Sequence, residues 1–255
     1  APQSGAATAG WFQANEDWHS HADVQASPDG CLVGRGDGDA VLVAESESGE
    51  GAVKPLRSDA WLGDFWLRME YQLSPGAAAG VLLHGRYEVH LGTGPGGLDY
   101  RSAGGLDRMR NPEEGVDGTL APLAEVEQPA GRWHVFEARF RAPRFDEARN
   151  KIDNALLLEA RIDGVLVQRN ALLFGYTENT EFGWESTGGP VSVDLESGSM
   201  AIRDFEVRRT DYGAVAVPEA SGAESNEDDL IDLVNQGKEL FKAVGCAECH
   251  TVDPS

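Results

Sequence analysis

The chain has 255 residues, 21 of them Lys or Arg and 43 Asp or Glu, so its formal net charge is −22. Hydrophobic residues supply 41% of it and aromatics 8%, enough for a packed core and too much for wholesale disorder. The acidity excludes a nucleic-acid partner, whose phosphates call for clustered Lys and Arg, and no run approaches the roughly 20 apolar residues of a membrane span.

Residues 1–10, APQSGAATAG, are small and polar and are expected to be a disordered N-terminal segment, of the kind left when an export signal is removed. From Trp11 to Thr210 short β-type runs alternate with Gly, Pro, Asn and Asp. Strands are expected at 40–44, 65–73, 80–84, 87–91, 133–141, 155–162, 165–169, 190–195 and 200–208. In 65–73 the residues Phe65, Leu67, Met69, Tyr71 and Leu73 alternate with Trp66, Arg68, Glu70 and Gln72, the period of a half-buried strand. In 133–141 the apolar positions are read as Trp133, Val135 and Phe140, with a phase change near Ala138. Asp163-Gly164 is the sharpest hairpin signal, a two-residue turn needing positive φ. Many short strands with close-set turns give an all-β fold, a sandwich or jelly roll over residues 11–210.

Residues 211–226 (DYGAVAVPEASGAESN) have the composition of a linker. From Ser225 acidic residues open a helical pattern in which Leu230, Leu233, Val234, Leu240 and Phe241 recur. The pattern runs into Cys246-Ala247-Glu248-Cys249-His250, the C-x-x-C-H arrangement for covalent haem c. Two thiols on one helical turn meet the two vinyl groups of haem, and the next His reaches the iron. The preceding GKELFKAVG resembles the first helix of class I cytochromes c, so 227–255 is expected to be the N-terminal fragment of such a domain. Haem attachment implies an oxidising, extracytoplasmic compartment, periplasmic or extracellular in a bacterium, and a redox partner protein.

The β region resembles the 3-keto-disaccharide hydrolase family, a concanavalin-like jelly roll. The residues that carry the likeness are GDFWLRMEYQL (63–73), AAAGVLLHGRYEVHL (77–91), PAGRWHVFEARFRAPRFD (129–146), LLLEARIDGVLVQRNALLFGYT (156–177) and GGPVSVDLESGSMAIRDFEVRR (188–209). The resemblance implies cleavage of 3-keto-glycosides, in which the oxidised C3 acidifies the C2 hydrogen, a base removes it, and the bond at C1 breaks by elimination. On that reading Glu88 is the first candidate for the base and Glu70 a second carboxylate, with Arg86 and Arg203 holding sugar oxygens or the ketone. His84, His90 and Asp194 are candidates for substrate binding, the histidines also for proton transfer or metal ligation. The family's Asn-Ser-Gly is Ala78-Ala79-Gly80 here, and a Gln and a His of its closing strand are missing from 193–198. The alternative is therefore a non-catalytic carbohydrate-binding or interaction module that positions the cytochrome. The six tryptophans are candidates for a sugar-stacking platform, and Asp107, Glu113, Glu114 and Asp117 for a Ca²⁺ site.

Overall fold

The computed structural model describes residues 11–213, apart from 14, 47–52, 93–97, 111–116 and 179. The chain separates into two units, 1–212 and 213–255, and only Gly213 of the second is described. The expected helix at 227–255 and the haem motif thus lie outside the described residues.

The first unit is all β, with strands β1 His19–His21, β2 Asp23–Ala26, β3 Leu32–Arg35, β4 Val41–Ser46, β5 Leu56–Arg57, β6 Phe65–Leu73, β7 Ala78–Leu83, β8 Tyr87–His90, β9 Leu106–Arg110, β10 Asp117–Leu120, β11 His134–Arg141, β12 Arg144–Phe145, β13 Lys151–Asp153, β14 Ala155–Ile162, β15 Val165–Leu173 and β16 Ser192–Arg209. Twelve of them form one antiparallel sheet that curls on itself through β16. The first layer runs β10-β9-β8-β7-β16, with β5 on the far side of β16. The second runs β4-β16-β6-β11-β14-β15, with β1 outside β4. The result is a jelly-roll-like sandwich. No helix among the described residues is long and apolar enough to cross a membrane.

The two stretches expected as separate strands at 190–195 and 200–208 are one 18-residue strand that serves both layers. It pairs with β7 through Ser197 and with β4 from Gly198 onward. Gly198 takes φ +82 at this corner, where a Cβ would fall 2.7 Å from that of Ala77, so the crossing requires glycine. A strand that changes layers keeps its alternation on both sides of the bend, which is why it reads as two.

Between the layers lies one continuous core. The 65–73 alternation holds, with Phe65, Leu67, Met69 and Tyr71 wholly buried. In β11 the inward residues are His134, Phe136, Ala138 and Phe140, so the expected phase change does not occur. Trp133 lies instead under the Arg203 guanidinium at 4.0 Å, a use of an indole that hydrophobicity alone does not reveal. The Asp163-Gly164 turn is as expected, with φ +50 and +79. Its carboxylate also accepts from Val135 N at 2.7 Å and lies 2.7 Å from His134 Nδ1, tying the hairpin to β11.

Candidate functional site

In β7, β8 and the first part of β16, Val81, Leu83, Tyr87, Val89, Val193 and Leu195 point into the core. Period-two alternation then turns Gly80, Leu82, Glu88, His90, Ser192 and Asp194 to the other face of the layer. The register sets them in rows: His90 pairs with Gly80 and Gly80 with Asp194, while Glu88 pairs with Leu82 and Leu82 with Ser192. Gly80 decides the local geometry. A Cβ there would fall 2.8 Å from Glu88 Cγ and closer still to Oε1, so the Glu88 side chain lies across the glycine, between His90 and Asp194. A bulge after Leu195 sets Glu196 and Ser197 together opposite Ala78. Bulges of this kind re-aim side chains, and Glu196 here joins Asp194.

An oxygen from each of Glu88, Asp194 and Glu196 lies within 4.8 Å of the other two. Glu88 is wholly buried, Asp194 intermediate and Glu196 exposed, so the cluster descends from solvent to the sheet floor. His90 Nδ1 stands 3.9 Å from Glu88 Oε1, and its Nε2 stands 3.9 Å from Asp107 Oδ1 on β9. The imidazole is therefore flanked by two carboxylates. Burial, then the Glu196 charge, push the Asp194 carboxyl up to about 6, with Glu181 adding to the rise and the Leu195 N–H opposing it. The His90 ring holds the Asp107 carboxyl below its ordinary value against the opposing effect of burial. Thr177 fixes the start of β8: its Oγ1 donates to Arg86 O at 2.9 Å and accepts from Glu88 N at 3.2 Å. Arg57 Nε donates to Glu181 Oε2 at 2.7 Å beside this face.

The sequence-derived residues do not form one site. Glu88, His90 and Asp194 come together, whereas Glu70 and Arg203 face each other across β6 and β16 in the second layer. There Arg203 Nε donates to Glu70 Oε2 at 2.9 Å and Arg68 Nη2 to Oε1 at 2.8 Å. Burial raises the Glu70 carboxyl, but the two guanidinium groups outweigh it and hold the pKa below its ordinary value. A carboxylate so engaged is a poor base, and its expected acid/base role is corrected to an ion pair.

Arg86 is also corrected. It is fully buried and donates to Trp184 O, to His84 O at 2.7 Å and to Gly188 O at 3.3 Å, anchoring the 184–188 segment instead of holding a sugar oxygen. His84 is a core residue, its ring edge-on to Phe140 at 4.7 Å and its Nε2 2.9 Å from Gly63 O. Burial pushes its pKa down to about 4, so at neutral pH it is an uncharged packing group, which corrects its reading as a substrate or metal ligand. Of the expected Ca²⁺ group, Glu113 and Glu114 lie outside the described residues, and Asp107 serves His90. Cys246, Cys249 and His250 lie outside them too.

Sequence reasoning missed Glu196, Ser192 and the pairing of Asp107 with His90. A signal was present: Glu88-x-His90 and Asp194-x-Glu196 are both polar pairs at strand spacing, which puts each pair on one face. Of the six tryptophans, Trp61 and Trp184 are 54% and 60% exposed, and both ring systems contact Phe182. Trp18 is core, and Trp66 lies under the Arg208 guanidinium at 4.6 Å.

The model of the 3-keto-alpha-glucoside-1,2-lyase-like domain family matches residues 4–208, and the chain belongs to that family. Among solved structures it is similar to a Parabacteroides distasonis protein classed with the glycosyl hydrolases, at 18% identity and TM-score 0.51, covering 76% of this chain and 79% of that one. A second protein from the same organism, classed likewise, aligns at 12% identity and TM-score 0.47 over 80% of this chain and 96% of its own. A glucuronan lyase from Trichoderma reesei aligns at 11% identity and TM-score 0.37, covering 77% and 96%. At these identities the first likeness speaks to the fold alone. No curated protein matches the chain.

Proposed function

We propose that this member of the 3-keto-alpha-glucoside-1,2-lyase-like family cleaves 3-keto-glycosides by proton abstraction and elimination at the row of His90, Glu88 and Asp194. The observation that supports the reading is the convergence on one face of an imidazole and four carboxyl groups, with the imidazole between two of them. A ketone at C3 makes the C2 hydrogen acidic. His90 takes that proton, and the electron pair enters the C2–C3 bond as the ketone becomes an enolate. The pair then forms the C1=C2 bond, the C1–oxygen bond breaks, and the aglycone oxygen leaves with a proton. Water adds across C1=C2, hydroxide to C1 and a proton to C2, so the sum is hydrolysis. Glu88 and Asp107 stand on either side of the ring, each 3.9 Å from one of its nitrogens. Glu88, the first candidate for the base, is too deeply buried to meet a sugar and acts through His90.

Aglycone release from a panel of α- and β-linked 3-keto-glucosides tests this. The parent is expected to turn over, and His90→Gln to lose about 10²–10⁴-fold, the usual contribution of a general base. Silence of the parent across the panel contradicts the proposal. The exposed indoles of Trp61 and Trp184 favour the second reading, a carbohydrate-binding module, and sugar binding without turnover is its signature.

For the C-terminal unit the motif chemistry supports haem c on Cys246 and Cys249 with His250 as an iron ligand, hence export to the periplasm or beyond and a redox partner. A pyridine haemochrome spectrum of the exported chain, absent in Cys249→Ser, is the corresponding test.

A further inference from the structure

We propose that Glu88, Asp194 and Glu196 bind a divalent metal ion with a preference for oxygen ligands, of the Ca²⁺ or Mn²⁺ kind. The existence of the site stands on geometry, and its role in catalysis rests on the function proposed above. Oxygen ligands lie about 2.1–2.6 Å from such ions, so two of them on opposite sides of one ion are separated by about 4–5 Å. The three carboxylate oxygens, all within 4.8 Å of one another, already meet that requirement without any movement of the backbone.

The arrangement is built into the sheet. Asp194 is the direct neighbour of Gly80, the Glu88 side chain lies over that same glycine, and the bulge after Leu195 brings Glu196 to the group. Like charges held this close repel and burial of the deepest one adds desolvation, both of which a bound cation would offset. A second observation is independent of the acids. Ser192 Oγ, on the same face two residues before Asp194, is fully buried and has no hydrogen-bond partner. A metal-bound water would give that hydroxyl the acceptor or donor it lacks.

With Glu88 beneath and Glu196 at the solvent edge, the ion keeps positions open towards solvent. In the proposed reaction a 3-keto sugar would occupy them through its C3 oxygen, and the positive charge would stabilise the enolate formed when His90 removes the C2 proton. That supplies an electrophile which Arg86 and Arg203, engaged elsewhere, do not.

The test uses the full chain after treatment with a chelator. Mn²⁺ alone is added and free ion is read by electron paramagnetic resonance, with Ca²⁺ as competitor, up to about 1 mM, the weak end of protein Ca²⁺ sites. One saturable Mn²⁺ per chain is expected, with binding weakened about tenfold or more in Glu196→Gln. Glu196 is exposed, so this variant keeps its fold, and circular dichroism checks the deeper Asp194→Asn beside it. Absence of saturable binding, or equal binding by parent and Glu196→Gln, overturns the proposal. Binding without turnover of any 3-keto-glucoside leaves the metal site standing and removes only the catalytic reading. Turnover that persists in the fully chelated chain removes the ion's role in catalysis and leaves the His90 reading intact, the site itself being decided by the Mn²⁺ titration.

Discussion

The strand Ser192–Arg209 contributes carboxylates to the outer face of one layer and an arginine to the outer face of the other, and the two places resolve their charge differently. At Arg203 the partners balance: Glu70 lies between two guanidinium groups, and Trp133 packs beneath one of them. At Asp194 the neighbouring charges are alike: burial, then Glu196 and more weakly Glu181, raise its carboxyl where a cation would lower it. A satisfied ion pair of this sort holds two strands in register. A cluster of carboxyl groups is worse for stability and is worth retaining where something charged or reactive is brought to it. Glu, Arg and Asp on neighbouring strands therefore say little until pairing is known.

Exchanging the members of each cluster gives the largest expected contrast. Glu88→Gln should lower kcat on a 3-keto-glucoside by about 10²-fold or more, whereas Glu70→Gln should change it by less than about 2-fold and cost no more than about 1 kcal/mol of stability. Comparable losses in both variants would dissolve the distinction between the two faces.

The fold itself should respond to acid through His84. Its pKa falls from an ordinary 6.5 to about 4 on burial, so the unfolded chain binds a proton that the folded chain refuses between those values. The His84 contribution to stability is then full above pH 6.5 and declines as pH falls towards 4, by about 3 kcal/mol in all. Chemical denaturation should show the stability of the parent relative to His84→Leu falling by that amount across the window, while Asp194, which titrates in the same range with the opposite sign, cancels from the difference.

Asp194→Asn sharpens the comparison from the other side. A carboxyl raised from 3.8 to about 6 costs the metal-free fold stability as pH rises through that interval and by a constant amount above it. The variant should therefore be more stable than the parent by about 1–3 kcal/mol at pH 8, equal to it near pH 3.5, and less active throughout. A destabilised variant at pH 8 would mean that Asp194 is already neutralised.

The smallest effect is expected at Trp184, whose indole is 60% exposed and available to a sugar face. Trp184→Ala should raise KM about 3–10-fold with kcat nearly unchanged, since loss of a stacking face removes binding shared by ground and transition states.

Much of this was legible beforehand and some could not be. Period-two alternation located β6, and the Asp163-Gly164 turn signal located the β14–β15 hairpin, because an apolar face and a two-residue turn are local properties of the chain. The short strands β1, β2, β5 and β13 carry few apolar residues and were not legible, since pairing partners far away in sequence create them. In the site, Glu88, His90 and Asp194 could be named, but their neighbourhood depends on Gly80 lying between strands in register. Arg86 and His84 were misread for a related reason: nothing local distinguishes a buried polar group that anchors a loop or packs in the core from one that meets a ligand.

Removal of the C2 proton at the His90 row is measured by following a 3-keto-glucoside deuterated at C2 during turnover in ordinary water. Deuterium is expected to be lost to solvent in step with aglycone release, the product to carry hydrogen at C2, and His90→Gln to do neither above the rate without protein. Release of the aglycone with deuterium retained at C2 would contradict that removal.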